Sequence, residues 1–188
     1  GSAGGLIRAM LAPDRVETCT PELLRRTAAA SRELDIPVRQ HCCQSKIEYD
    51  LVLQQHGMSP PEWLQSLGCL SPRSLLPHGT VVSGSRLVER PGRDLDIIRD
   101  AGASIVHCPL VSGRHGGTID HFARYRAMGL QIGLGTDTAP PDMITNMQVG
   151  MILTRIMGGS PATVRSEDYY NAATIGGADA LGRPDLGR

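Results

Sequence analysis

The chain has 188 residues, 40% of them hydrophobic, which is enough to bury a sizeable core. Lys plus Arg balances Asp plus Glu at 19 each and aromatic residues make up only 3%, so neither a cationic field nor a base-stacking platform exists. That argues against nucleic acid and membrane surfaces as partners, and five cysteines with no C-x-x-C pair fit a reducing, cytoplasmic setting.

The pattern along the chain is a short apolar run followed by a helix-period segment, repeated, which predicts βα units on a parallel sheet. The first run is Leu6 to Ala12, closed by Pro13; Thr20, Pro21 and Glu22 then supply a cap, a first-turn proline and an early acid for a helix to about Glu33. A second strand is expected at Ile36 to His41, with helices at Ile47 to Gln55, stopped by Gly57, and from Pro60 through Leu67. Leu75 to Val82 reads as the third strand, Arg93 to Ala101 as a helix and Ser104 to Cys108 as the fourth strand. Ile119 to Met128 is helical; Gln131 to Gly135 is the fifth strand, Met143 to Met157 a further helix, and two shorter helices close the chain. No apolar run reaches the 18 residues of a membrane span, and the opening from Gly1 to Gly5 has no leader-like pattern.

Four residues that can hold or serve a metal fall at or near the ends of successive strands: His41, His78 (mid-run), His107 and Asp137, spaced by 37, 29 and 30 residues. In parallel α/β folds the C-terminal strand ends converge, because the βα loops open there. Neutral imidazole and carboxylate are the usual non-thiolate ligands of a catalytic zinc that keeps one position open for water. Each histidine alone is more often a hydrogen-bonded core residue than a ligand, and Asp137 alone could be a turn carboxylate; their joint placement carries the expectation. A phosphate loop at Gly113-Arg114-His115-Gly116-Gly117 is disfavoured, because the G-x-G-x-x-G spacing is missing. His56, His115 and His121 are isolated.

At these residues the sequence resembles the amidohydrolase superfamily, in its chlorohydrolase and aminohydrolase branch with guanine- and cytosine-type deaminases as relatives. The carriers are Ala12-Pro13 with Cys19-Thr20-Pro21-Glu22-Leu23-Leu24, His41-Cys42-Cys43-Gln44-Ser45 with Glu48, Leu76-Pro77-His78-Gly79, Val106-His107-Cys108-Pro109 and Leu134-Gly135-Thr136-Asp137. Ala173-Thr174-Ile175-Gly176-Gly177-Ala178 resembles the closing helices. The resemblance implies the parallel-stranded portion, about strands four to eight, of a (β/α)8 TIM-type barrel, incomplete in this chain. Residues 1–188 would be a single domain, the C-terminal part of a metal-dependent hydrolase, with the first barrel strands absent.

It further implies one divalent metal, zinc before iron, with His41 and Asp137 as ligands. His78 would orient the attacking water, Asp137 would also take its proton, and His107 and Thr138 would line the substrate pocket, His107 alternatively supporting the ligands. The substrate would be a small heterocycle losing an amino group or chlorine. Two departures stand out: Gln44 occupies the position of the family's proton-shuttling glutamate, leaving Glu48 as a substitute, and no His-x-His pair occurs. The second departure keeps open a catalytically silent, structural role. An open five-stranded sheet would leave its edges unpaired, so association with another copy or with a missing N-terminal half is expected.

Overall fold

The structure, a computed structural model, describes residues 3–5, 7–120 and 122–187. Leu6, where the first apolar run begins, and His121 therefore lie outside the described residues. Four parallel strands form one sheet in sequential order: β1 (Val38–Arg39), β2 (Ser74–Pro77), β3 (Ser104–His107) and β4 (Gln131–Leu134). Every strand is reached from its predecessor through helices, as parallel pairing demands.

The first expected strand, Leu6 to Ala12 at the front of the chain, is a correction. Leu11 makes an isolated parallel bridge to Val38, and Arg15 one to His41, but no ladder forms. Leu11 donates its N–H to the Pro37 carbonyl and accepts one from Arg39. Pro37 has no N–H to extend that ladder, and Pro13 removes another from the facing segment. β2 is also shorter than its apolar run, because the chain turns left-handed at His78 (φ 85°) and Gly79 (φ 60°). That puts His78 at the C-terminal end of β2 instead of mid-strand.

Helix α1 (Pro21–Leu34) starts where Thr20 accepts the Leu23 N–H at 3.2 Å, and it buries Leu24, Ala28 and Ser31, one stripe at helical spacing. α2 (Lys46–His56) ends at Gly57 in the left-handed conformation. α3 (Pro60–Ser66) carries a complete capping box between Ser59 and Glu62. α4 (Asp94–Asp100) precedes β3; α5 (Pro109–Arg114) follows it, the proline being its first-turn residue.

α6 (Phe122–Ala127) leads to β4, and α7 (Met143–Gly158), α8 (Ser166–Ala173) and α9 (Ile175–Ala180) finish the chain. α9 lies directly on β4: a Cβ on Gly176 would sit 2.4 Å from the Ile132 carbonyl oxygen. The core joins sheet residues Leu76, Ile105 and Ile132 to Leu24, Val52, Leu64, Ile98, Phe122 and Tyr169 from the helices. Among the described residues no helix is long and apolar enough to cross a membrane.

Candidate functional site

The strand exits meet at one end of the sheet. His41 follows β1 and its ring stacks on that of His78, which follows β2, with centroids 5.4 Å apart and planes at 26°. The His41 Nδ1 lies 3.1 Å from the Asp14 carbonyl oxygen. An N–H there donates to that oxygen, which leaves Nε2 as the lone-pair nitrogen, the arrangement that suits a metal ligand.

His78 is 2% exposed and its Nε2 has no hydrogen-bond partner among the described residues. Burial pushes its pKa down to about 4, the Asp137 carboxylate pulls it back up, and His41 and Arg15 add to the fall. Asp137 follows β4 in the left-handed region (φ 58°), is exposed, and lies close enough to raise the Cys108 thiol as well. His41, His78 and Asp137 thus share one neighbourhood, His78 being the member that both others act on.

A metal can be tested against these groups. The donor set of two imidazoles and a carboxylate suits a divalent ion, and a buried ring nitrogen without a partner is what a ligand or substrate contact would satisfy. The fit is partial: no three ligand atoms drawn from His41, His78, His107 and Asp137 come within 4.8 Å of one another among the described residues. The trio that does is Cys42, Cys43 and Glu48. There, however, both Glu48 oxygens accept backbone N–H groups, from Cys43 at 2.5 Å and Gln44 at 2.8 Å, and the hydrogen bond with Cys42 together with burial holds the Cys43 thiol protonated.

The remaining expected residues fall in three places. Gln44 lines a cavity of about 500 Å³ that opens beside His78. Thr138 is exposed on the loop beyond Asp137. His107 is fully buried, its ring 6.2 Å from Phe122 and 6.3 Å from Tyr169, with neither nitrogen partnered among the described residues; burial takes its pKa down to about 3. It stands behind His78 and is not part of that cavity's wall.

Three further residues shape the site. Glu48 is no solvent-facing helix residue: it is 1% exposed and braces the turn after His41, and the Ser45-x-x-Glu48 spacing, with Ser45 accepting the Glu48 N–H, was the available signal. Asp94 is buried under the segment after His78, accepting Ser59 Oγ at 2.5 Å and Ser83 N–H at 2.7 Å, while Ser83 Oγ meets the Tyr49 hydroxyl at 2.7 Å. Thr80 brings a buried hydroxyl to the cavity.

A parallel sheet with helices between its strands and an imidazole–carboxylate cluster at its C-terminal end is an α/β architecture whose strand exits gather polar side chains. The family model described as "Amidohydrolase family" matches residues 1–188, and the chain belongs to that family. It is 28% identical over 181 residues to a 5-methylthioadenosine/S-adenosylhomocysteine deaminase of Pyrococcus furiosus, covering 94% of this chain and 41% of that protein. It is 29% identical over 186 residues to a 5'-deoxyadenosine deaminase of Methanothermobacter thermautotrophicus, covering 97% and 42%.

Among solved structures it is similar to an adenosine deaminase of Xanthomonas campestris with bound zinc (TM-score 0.88, 24% identity, 99% of this chain and 42% of that one). An atrazine chlorohydrolase of Arthrobacter aurescens, complexed with zinc and atraton, superposes with TM-score 0.87 at 24% identity over 97% of this chain and 40% of that one. These two likenesses establish the fold, a partial barrel. The chain spans about two fifths of the length of the relatives it matches.

Proposed function

We propose that residues 1–188 form one domain, the C-terminal part of a metal-dependent hydrolase that replaces an amino group, or chlorine in the variant chemistry, on a small heterocycle with water. The observation that carries this reading is the His41–His78 stack at 5.4 Å with the Asp137 carboxylate acting on His78, all at parallel-strand exits. His41 through Nε2 and Asp137 through its carboxylate would hold one divalent ion, zinc before iron. The bound ion supplies Lewis acidity and brings water toward ionisation near neutral pH.

Around it the chain's own residues divide the work. Asp137 takes the proton given up by water. His78, kept neutral by burial, orients the water through Nε2 and stabilises charge on the substrate as it develops. Gln44 hydrogen-bonds the substrate but moves no proton, since an amide does not titrate. Glu48, with both oxygens already accepting N–H groups, positions the Gln44 turn and leaves Asp137 as the proton carrier. Thr138 contacts substrate from the loop, and His107 supports the His78 ring from behind. The working assembly pairs this chain with a second copy or with further polypeptide; exposed Ile7 and Leu34 near the unladdered front of the sheet support that.

A second reading, a catalytically silent piece, is favoured by Gln44 and by the lack, among the described residues, of a compact trio drawn from His41, His78, His107 and Asp137. Zinc titration of the dialysed chain against a chromophoric chelator separates the two. The hydrolase reading expects one ion per chain, with affinity lowered at least tenfold by His41→Ala and by Asp137→Asn and unchanged by His56→Ala. Stoichiometric binding that ignores both substitutions, or no binding, overturns it.

A further inference from the structure

The cavity beside His78 has a composition that the hydrolase reading does not use. Its wall carries Arg15, Lys46 and His115 together with the neutral hydrogen-bonding groups of Gln44, Thr80 and Ser112, and no Asp or Glu among its described lining residues. At about 500 Å³ it has room for a ring with a short substituent. In a chain whose acids and bases are equal in number, a wall with cations and no acid marks the sign of what it takes.

Two further observations point to an occupant. Thr80 is 3% exposed, and its hydroxyl has no partner among the described residues; a buried hydroxyl left unpaired costs about 1–3 kcal/mol unless a ligand satisfies it. Arg15 has its nearest acid, Glu17, at 3.9 Å, beyond hydrogen-bond reach, so its forked donors stay available, whereas Lys46 is already held by Asp50 at 2.6 Å. Arg15 also bridges to His41 through the backbone.

We propose that the molecule bound here carries an oxyanion substituent, in the simplest case a carboxylate, held by Arg15 with Lys46 at the rim, while Thr80 hydrogen-bonds the ring. The idea rests on taking the His78 cavity as the substrate pocket and deepens that assignment. A molecule with net positive charge is rejected by the same wall.

The test uses benzoate and benzamide, matched in shape and different in charge, titrated into the full chain in chelator-containing buffer and followed by NMR. Benzoate should bind at least tenfold more tightly than benzamide; Arg15→Gln should abolish the difference, and Thr80→Val should weaken both. Raising the salt tenfold should weaken benzoate alone, a reading that needs no variant to fold. Equal affinities in the wild type, or a benzoate preference that survives Arg15→Gln or tenfold salt, overturns the proposal. Because zinc is excluded, benzoate selectivity without zinc binding in the separate titration sinks the hydrolase reading alone, and zinc binding without selectivity sinks this one alone.

Discussion

Replacing Glu48 by glutamine tests whether burial or hydrogen bonding rules the turn after His41. The carboxylate is 1% exposed and receives two N–H groups, yet burial dominates and lifts its pKa from 4.5 to about 7. That rise is worth ~3 kcal/mol at 1.36 kcal/mol per pH unit. The folded-state pKa is above the unfolded one, so between pH 4.5 and 7 the native state binds the proton that the unfolded chain has lost, and stability falls as pH rises. The amide introduced by Glu48→Gln does not titrate and would remove this slope, at a pH-independent cost because its NH2 cannot accept one of the two N–H groups. Urea unfolding of both proteins at pH 5, 6, 7 and 8 should give a stability difference that shifts by ~2.5 kcal/mol in favour of the variant between pH 5 and pH 8. Parallel profiles would show that Glu48 does not titrate on folding; a shift toward the wild type would show that the two N–H donors outweigh desolvation.

Two further perturbations probe the same strand ends. His107 has its pKa lowered to about 3 by burial, so its share of stability is present above pH 6.5 and is lost as the pH falls toward 3. His107→Leu should flatten that acid limb by an amount on the order of 4 kcal/mol in acid-unfolding profiles, and an unchanged limb would mean the ring is wet. At Gly79 the backbone has φ 60° and an added Cβ would meet Ile105 Cγ2 at 2.6 Å. Gly79→Ala should therefore cost ~2–4 kcal/mol in chemical denaturation, and a loss under about 0.5 kcal/mol would contradict the close approach.

Much of this arrangement is legible in the residues. Apolar runs bounded by Gly and Pro mark all four ladder strands, and Thr20, Ser59 and Gly57 act at helix ends as their types dictate. Strand ends are less legible, because the run read as a strand continues past His78 into Thr80, Val81 and Val82, which are buried although no longer in a strand. Burial outside the sheet imitates a strand in sequence. The front edge was over-read for the converse reason: Leu6 to Ala12 is apolar, but ladder formation needs a partner with N–H groups, and Pro37 withholds one.

Spacing puts the candidate residues at strand ends and says nothing of their surroundings. His107 looks the same in sequence as His41, yet one ring lies against Phe122 and Tyr169 while the other has a backbone carbonyl on Nδ1. Such differences arise from α6 and α8, distant in the chain, and no local pattern encodes them. Glu48 and Arg15 act through neighbours several residues away, and only the folded turn brings those together.

Cys43, His78 and Asp137 each adopt the left-handed backbone that side-chain-bearing residues avoid, at three of the four strand exits. Each carries a penalty of order 1 kcal/mol or more, which the surrounding packing must offset. Directed evolution toward heat resistance would find glycine at these places an easy gain, and at His78 and Asp137 that gain would erase the side chain being aimed. Thermal robustness and chemical competence therefore pull in opposite directions at these corners, and selection screens on this scaffold should score both at once.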